Sequence, residues 1–133
     1  MTGKYCLILV LLSYLISACS GQAQAGALGN PEKGKTLFHQ TAIREAPACS
    51  TCHASESGEV IVGPSLANVA SRASERKPGL SAEEYIRESI LDPNAYIVEG
   101  FSEGLMYQNY RDTLTEEEIN DLISYLLTLE QVP

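Results

Sequence analysis

Two segments in the C-terminal half of the chain place apolar residues three or four positions apart, which is the spacing of one face of an α-helix. Each segment opens with a capping box, Ser81 with Glu84 in the first and Thr115 with Glu118 in the second. The apolar positions behind the two boxes are Tyr85, Ile86, Ile90, Ile119, Leu122, Ile123, Leu126 and Leu129. The pattern predicts one helix that stops at Asp92-Pro93 and an amphipathic last helix.

An earlier helix is indicated by Asn30-Pro31-Glu32, which combines an N-cap residue, a proline at the first helical position and an acid in the first turn. Gly34 within this helix indicates that another backbone approaches closely. A further short helix is expected after Gly63-Pro64-Ser65, with Ser65 as its N-cap. Because no alternating strand pattern of useful length accompanies these segments, the expected fold class is all-α, with about four short helices.

The apolar residues of these helices make only a modest core, and the connections from Thr41 to Gly63 and from Pro93 to Leu114 are long. Loops of that length in a small domain need something to wrap around. The pattern therefore points to a cofactor inside the domain.

The first stretch of the chain differs from the rest. Lys4 is its only charge, and it precedes an apolar run over residues 7–16, too short for a membrane-spanning helix of about 20 residues. The run closes with Leu-Ile-Ser-Ala-Cys19, which resembles the lipobox of bacterial lipoproteins. We therefore expect a lipoprotein signal peptide over residues 1–18 and a lipid on Cys19. The alternatives are an ordinary signal peptide with a free Cys19 and an uncleaved anchor helix.

Residues 19–29 are small and uncharged after Cys19, as in a flexible tether with a typical reach of about 17 Å. Residues 30–133 are then the folded domain. The expected location is the extracytoplasmic, periplasmic face of a bacterial membrane, with the domain held close to the bilayer by its lipid.

The net charge of −8 and the pI of about 4.6 argue against binding to nucleic acid, which needs a positive surface. The excess of acid is concentrated after residue 77, where Glu99, Glu103 and Asp112 flank a loop that contains Met106. A solvated acidic face is the simple interpretation. Our hypothesis is that these carboxylates steer a basic surface of a redox partner.

Cys49-Ser-Thr-Cys52-His53 has the Cys-x-x-Cys-His pattern of c-type haem attachment. Two thiols two residues apart can add to the two vinyl groups of one porphyrin, and the histidine that follows can then bind the iron. Two alternatives use the same residues. A redox dithiol would be expected to follow a strand and to start a helix, and a zinc site would need His39 or Cys19 to complete four ligands.

The sixth iron ligand is expected to be Met106, with His39 as the alternative. After loss of the signal peptide Met106 is the only methionine, and its polar loop has no periodic core face that calls for a methionine. His39 is more typical of a surface position near the end of the first helix. Ligation by histidine and methionine suits electron transfer, because a full coordination shell leaves no site for a substrate.

From Asn30 to Leu129 the sequence resembles a monohaem class I cytochrome c. Gly34 with Phe38 is similar to the family's first helix, and Gly63-Pro64-Ser65-Leu66 is similar to its haem-pocket turn. The resemblance implies one covalent haem c with first and last helices that cross, a Pro64 carbonyl that orients His53, and Leu66 packed on the ring. One departure is Tyr107, which follows Met106 where the family commonly has proline.

The stretch from Tyr85 to Gly100 is similar to cytochrome c domains that serve membrane respiratory complexes. Examples are subunit II of haem-copper oxidases and the small haem lipoprotein of alternative complex III. The resemblance implies a one-electron carrier in a respiratory or photosynthetic chain, with an integral membrane complex as partner and no enzymatic reaction on a small-molecule substrate. The alternative function is a haem-based sensor in which Met106 dissociates. Candidate partners for the haem propionates are Arg72, Arg76, Lys77, Tyr107 and Tyr110.

Overall fold

A computed structural model describes residues 28–130, so the expected signal peptide and Cys19 lie outside the described residues. The elements in chain order are α1 (Pro31–Phe38), β1 (Ala42–Ile43), β2 (Ala46–Pro47), a 3-10 helix (Cys49–Thr51), α2 (Val69–Arg76), α3 (Ala82–Leu91), α4 (Tyr110–Thr113) and α5 (Glu116–Leu127). β1 and β2 form a small antiparallel hairpin. The expected all-α class is confirmed. Within residues 28–130 no helix is long and apolar enough to cross a bilayer.

Three of the predicted helix starts are confirmed. The side-chain oxygen of Asn30 accepts hydrogen bonds from the second and third residues of α1 at 3.0 and 3.2 Å. At the start of α3, Ser81 and Glu84 form both hydrogen bonds of a capping box, and Thr115 and Glu118 do the same for α5. These caps pair backbone donors that the first turn of a helix leaves without a partner inside the helix.

The first and last helices cross at a glycine, as expected. A Cβ atom on Gly34 would overlap the backbone carbonyl of Asp121 in α5, so only glycine permits this approach. Beside the crossing, the rings of Phe38 and Tyr125 meet edge to face with centroids 5.4 Å apart. The N–H of Asn30 donates to the buried Asp121 carboxylate at 2.6 Å. The crossing therefore fixes the start of the domain against its last helix.

The predicted start of α2 is wrong. Ser65 caps a turn instead of a helix, because its hydroxyl accepts from the N–H of Ala67 at 3.1 Å and donates to the carbonyl of Ser57 at 2.6 Å. Asn68 then adopts a left-handed conformation with φ of 59°, and α2 begins only at Val69. The four-residue α4 was not predicted from the sequence.

The apolar core is centred on α5, which packs against α1, α2 and α3. Phe38, Leu122 and Ile123 are its largest fully buried side chains. Two long segments extend from this core, residues 52–68 before α2 and residues 92–109 between α3 and α4. Side chains from both segments line one cleft, so the helices act as a frame that holds two irregular walls in place.

Candidate functional site

The Cys-x-x-Cys-His segment folds as one tight helical turn. The backbone N–H groups of Cys52 and His53 both donate to the carbonyl of Cys49, at 3.1 and 2.9 Å. Positions i, i+3 and i+4 of such a turn share a face. All three side chains accordingly line the same cleft.

The imidazole of His53 is oriented by the haem-pocket turn. Its Nδ1 lies 2.7 Å from the carbonyl oxygen of Pro64. Since a carbonyl can only accept, Nδ1 carries the proton and the lone pair is left on Nε2. Burial lowers the pKa of His53, which keeps the ring neutral at physiological pH. A neutral imidazole with its second nitrogen hydrogen-bonded is the form in which histidine binds metals.

Gly63 makes room for this imidazole. A Cβ atom there would lie 2.9 Å from His53 Nδ1 and would overlap the neighbouring ring carbon. The N–H of Gly63 also donates to the carbonyl of Cys52 at 2.9 Å, which ties the turn to the motif. Gly63 is therefore a site residue that the sequence analysis did not select, although it stands in the Gly-Pro-Ser-Leu turn.

The cleft encloses about 180 Å³ between the two long segments. Its lining is mainly apolar. It includes Leu66, Val69, Ile86, Ile90, Phe101 and Leu126. Cys49, Cys52, His53, Pro64, Leu66 and Met106, the six haem-site residues expected from the sequence, all line it.

The two candidates for the sixth ligand lie in different places. Met106 is half-buried and lines the cleft together with His53. His39 is exposed at the end of α1 and lies outside the cleft lining. Its Nε2 is 3.4 Å from the hydroxyl of Tyr125, and its ring packs against Phe38. The arrangement favours Met106 as the ligand.

Four of the five tyrosines in the described part of the chain line the cleft, in two edge-to-face pairs. Tyr85 and Tyr96 have ring centroids 5.7 Å apart, and Tyr107 and Tyr110 have centroids 5.0 Å apart. The Tyr110 hydroxyl donates to the carbonyl of Pro47 at 2.7 Å, and burial raises the pKa of Tyr110. The Tyr107 hydroxyl lies 3.5 Å from that of Thr113. Both hydroxyls therefore have protein partners.

Of the three cations expected near propionates, only Arg76 lines the cleft. Its guanidinium donates to the hydroxyl of Tyr85 at 3.2 Å. Arg72 instead donates to the carbonyls of Ser65 and Ala67, at 2.9 and 2.6 Å. Lys77 forms an ion pair of 2.5 Å with Glu88. The structure therefore leaves Arg76 as the one cation of these three that faces the cleft.

The two thiols fit attachment to a porphyrin better than a redox dithiol. Both are free, and burial raises the pKa of Cys49 to about 12, whereas reactive redox dithiols have lowered pKa values. Within residues 28–130, no group of three His, Cys, Asp or Glu side chains is arranged so that it could hold a metal ion.

The donor set therefore fits a c-type haem. Cys49 and Cys52 would hold the porphyrin through thioethers, and Nε2 of His53 and the sulfur of Met106 would be available to bind its iron. When bound, the haem supplies one-electron chemistry at its iron. The chain supplies an apolar lining, an oriented imidazole and the cation of Arg76 in the cleft wall.

The profile of the cytochrome c family supports this assignment. An engineered cytochrome c from Rhodothermus marinus, solved bound to a carbene intermediate, is 23% identical, with 83% of each chain covered and a TM-score of 0.42. A search of curated protein sequences found no match. The profile of the cytochrome c family matches residues 31–130, which is most of the chain. The chain therefore belongs to the cytochrome c family, whose members are haem-binding electron-transfer proteins.

Proposed function

We propose that this cytochrome c is a membrane-anchored one-electron carrier whose haem is bound by Cys49 and Cys52 and whose iron is bound by His53 and Met106. The observation that carries the proposal is the hydrogen bond of 2.7 Å from His53 Nδ1 to Pro64, which directs Nε2 away from the turn in a cleft that Met106 also lines. Two protein ligands in one apolar cleft favour electron transfer over catalysis, because they leave no open position for a substrate.

The test of this assignment is an optical titration of the reduced protein with carbon monoxide. A carrier with both axial positions filled binds carbon monoxide weakly at neutral pH. Ready binding by the unmodified protein would instead support a haem-based sensor in which Met106 dissociates. A Met106→Ala variant is the positive control, since it removes the competing sulfur and is expected to bind carbon monoxide in either case.

The proposed membrane anchor is a lipid on Cys19. Its support is the lipobox-like pattern before Cys19 and the uncharged stretch up to Asn30. Asn30 is held on Asp121, so a tether would leave the domain beside the crossing of α1 and α5. Fractionation of cells that produce the Cys19→Ala variant tests the anchor. Release of haem-stained protein into the soluble fraction supports it, and unchanged membrane association contradicts it.

The proposed partner is a redox protein with a basic docking surface, as part of an integral membrane complex. Glu99 and Glu103 are exposed in the same loop as Met106, and the apolar side chains of Ile97 and Leu105 are 37% and 48% exposed beside them. An apolar contact with an acidic rim complements a basic partner. The resemblance to subunit II of haem-copper oxidases and to the haem lipoprotein of alternative complex III supports a respiratory complex.

Stopped-flow electron transfer to a basic acceptor at several ionic strengths tests this surface. The rate is expected to fall as salt rises, and the double variant Glu99→Gln/Glu103→Gln is expected to show a weaker salt dependence. Glu83→Gln, which removes a carboxylate at the start of α3, is the matched control. Equal salt dependence in the control and the double variant would exclude docking at this loop.

A further inference from the structure

Two amide side chains hold the loop around Met106. Asn94 accepts from the backbone N–H of Gly104 at 2.9 Å and donates through Nδ2 to Oε1 of Gln108 at 2.7 Å. Gln108 in turn donates through Nε2 to the carbonyl of Met106 at 2.5 Å. The network therefore fixes the loop by hydrogen bonds two residues before Met106 and two residues after it.

The direction of every hydrogen bond in this network is fixed by its two ends. The N–H of Gly104 can only donate, so Asn94 must present its oxygen there and its nitrogen to Gln108. Gln108 must then present its oxygen to Asn94 and its nitrogen to the carbonyl of Met106, which can only accept. Each amide thus has one orientation that pairs every donor with an acceptor.

Other hydrogen bonds of this segment are local. Three backbone bonds, Ala95 to Asp92, Phe101 to Val98 and Leu105 to Ser102, join residues three apart at 3.0 to 3.4 Å. Asn94 instead reaches residues 10 and 14 positions further along the chain. It connects the end of α3 to the Met106 stretch, which the local turns do not do.

We propose that Asn94 and Gln108 are positioning residues that keep Met106 in the conformation that binds iron. This inference rests on the proposed ligation of iron by Met106. Without the network the loop samples more conformations, and the apparent affinity of the sulfur for iron falls by the fraction of time it spends in the competent one. The two amides therefore set how readily another ligand displaces Met106.

The variants Asn94→Asp and Gln108→Glu test the proposal because they keep the size of each side chain. The first variant removes the donor that Gln108 accepts from, and the second removes the donor to the Met106 carbonyl, because an ionised carboxylate can only accept. Asn109→Asp is the matched control. It adds the same charge one residue from Gln108, at an exposed side chain that forms no capping hydrogen bond to α4.

The measurement is the affinity of the ferric holoprotein for added imidazole, which competes with Met106. Loss of one such hydrogen bond is expected to raise that affinity about threefold to tenfold in Asn94→Asp and in Gln108→Glu, and less than about twofold in Asn109→Asp. The weak long-wavelength absorption of sulfur-ligated ferric haem should decrease in parallel. Denaturation midpoints recorded on the same samples measure any general loss of stability separately.

The Met106→Leu variant distinguishes a failure of the proposed ligation from a failure of the positioning role. If it binds imidazole no better than the unmodified protein, Met106 is not the ligand, and both the proposed ligation and the positioning role are wrong. If it binds imidazole tightly while Asn94→Asp and Gln108→Glu match Asn109→Asp, the ligation stands and the positioning role is overturned. A lowered denaturation midpoint without a change in imidazole affinity overturns it as well, because a purely structural role predicts that result.

Discussion

The two walls of the cleft are built in different ways. The motif wall, residues 49–66, is held by backbone groups, since the carbonyl of Cys52 accepts from the N–H groups of Val62 and Gly63, and the N–H of Leu66 donates to the carbonyl of Ala54 at 2.7 Å. The methionine wall, residues 92–109, consists of local turns joined by the side chains of Asn94 and Gln108. Main-chain hydrogen bonds between residues ten or more positions apart therefore help to fix the motif wall, whereas in the methionine wall only side chains make links of that length.

This difference separates two properties of the site. Substitutions that distort the motif wall displace the imidazole and the two thiols, so they affect whether the haem is bound at all. Substitutions in the methionine wall leave those three groups in place and affect Met106, the proposed sixth ligand. Variants of the two walls should therefore differ in kind as well as in size.

The largest effect is expected from Gly63→Ala. The added Cβ would overlap the ring of His53, so the imidazole must move away from the carbonyl of Pro64. Overpacking of this kind costs about 1–3 kcal/mol of folding free energy, and the displaced imidazole should reduce haem incorporation. Haem-stained denaturing gels and the denaturation midpoint measure the two effects.

Gly58→Ala is the control for this prediction. Gly58 lies in the same segment, but a Cβ atom there meets nothing within 4 Å. Its holoprotein yield and stability should match those of the unmodified protein. If both glycine variants behave alike, the close fit between Gly63 and His53 does not limit haem binding.

An intermediate effect is expected from Met106→Ala. The motif wall remains intact, so the haem should stay covalently attached at normal yield. Loss of the thioether removes a ligand that favours ferrous iron, so the reduction potential should fall by a sizeable part of the range of about 0.8 V that axial ligands span. Potentiometric titration measures this shift. An unchanged potential would show that Met106 is not a ligand of the iron.

The smallest effect is expected from Glu118→Gln, beyond the end of the methionine wall. Arg44 donates to the carboxylate of Glu118 at 3.0 Å and to the carbonyl of Thr113 at 2.7 Å. Partial burial alone would raise the pKa of Glu118, but hydrogen bonds from Arg44 and Thr115 outweigh it and lower the pKa below the usual 4.5. The folded state thus holds fewer protons than the unfolded state.

The contribution of Glu118 to stability is therefore complete at neutral pH and is lost as the pH falls below about 4.5 through the folded pKa. Because Arg44 is half-exposed, solvent screens the pair and we expect this contribution to be small. Unfolding free energies measured from pH 7 to pH 3 should decline less steeply in Glu118→Gln. Parallel curves for the two proteins would show that this carboxylate does not titrate with folding.

The sequence predicted the features that depend on neighbouring residues. The caps at Asn30, Ser81 and Thr115 need partners only two or three positions away, and all three are present. The grouping of Cys49, Cys52 and His53 follows from spacing within one helical turn. These parts of the fold and of the site are encoded locally.

The features that depend on distant partners were not predictable in the same way. Ser65 has the composition of an N-cap, but its hydroxyl is drawn to the carbonyl of Ser57, eight residues earlier, and the helix starts later. The links from Asn94 to Gly104 and Gln108 carry no periodic signal, because they join irregular segments. That Arg76 lines the cleft and Arg72 does not likewise depends on tertiary packing.

The tyrosines that line the cleft should make the intrinsic fluorescence of the holoprotein a reporter of its unfolding. The chain contains no tryptophan, and Tyr85, Tyr96, Tyr107 and Tyr110 all border the cleft. A haem bound in the cleft would lie beside these rings and would absorb the energy of their excited state. The folded holoprotein should therefore emit almost no ultraviolet light. Emission would grow as the rings separate from the porphyrin. Loosening of the structure can therefore be followed without any attached dye.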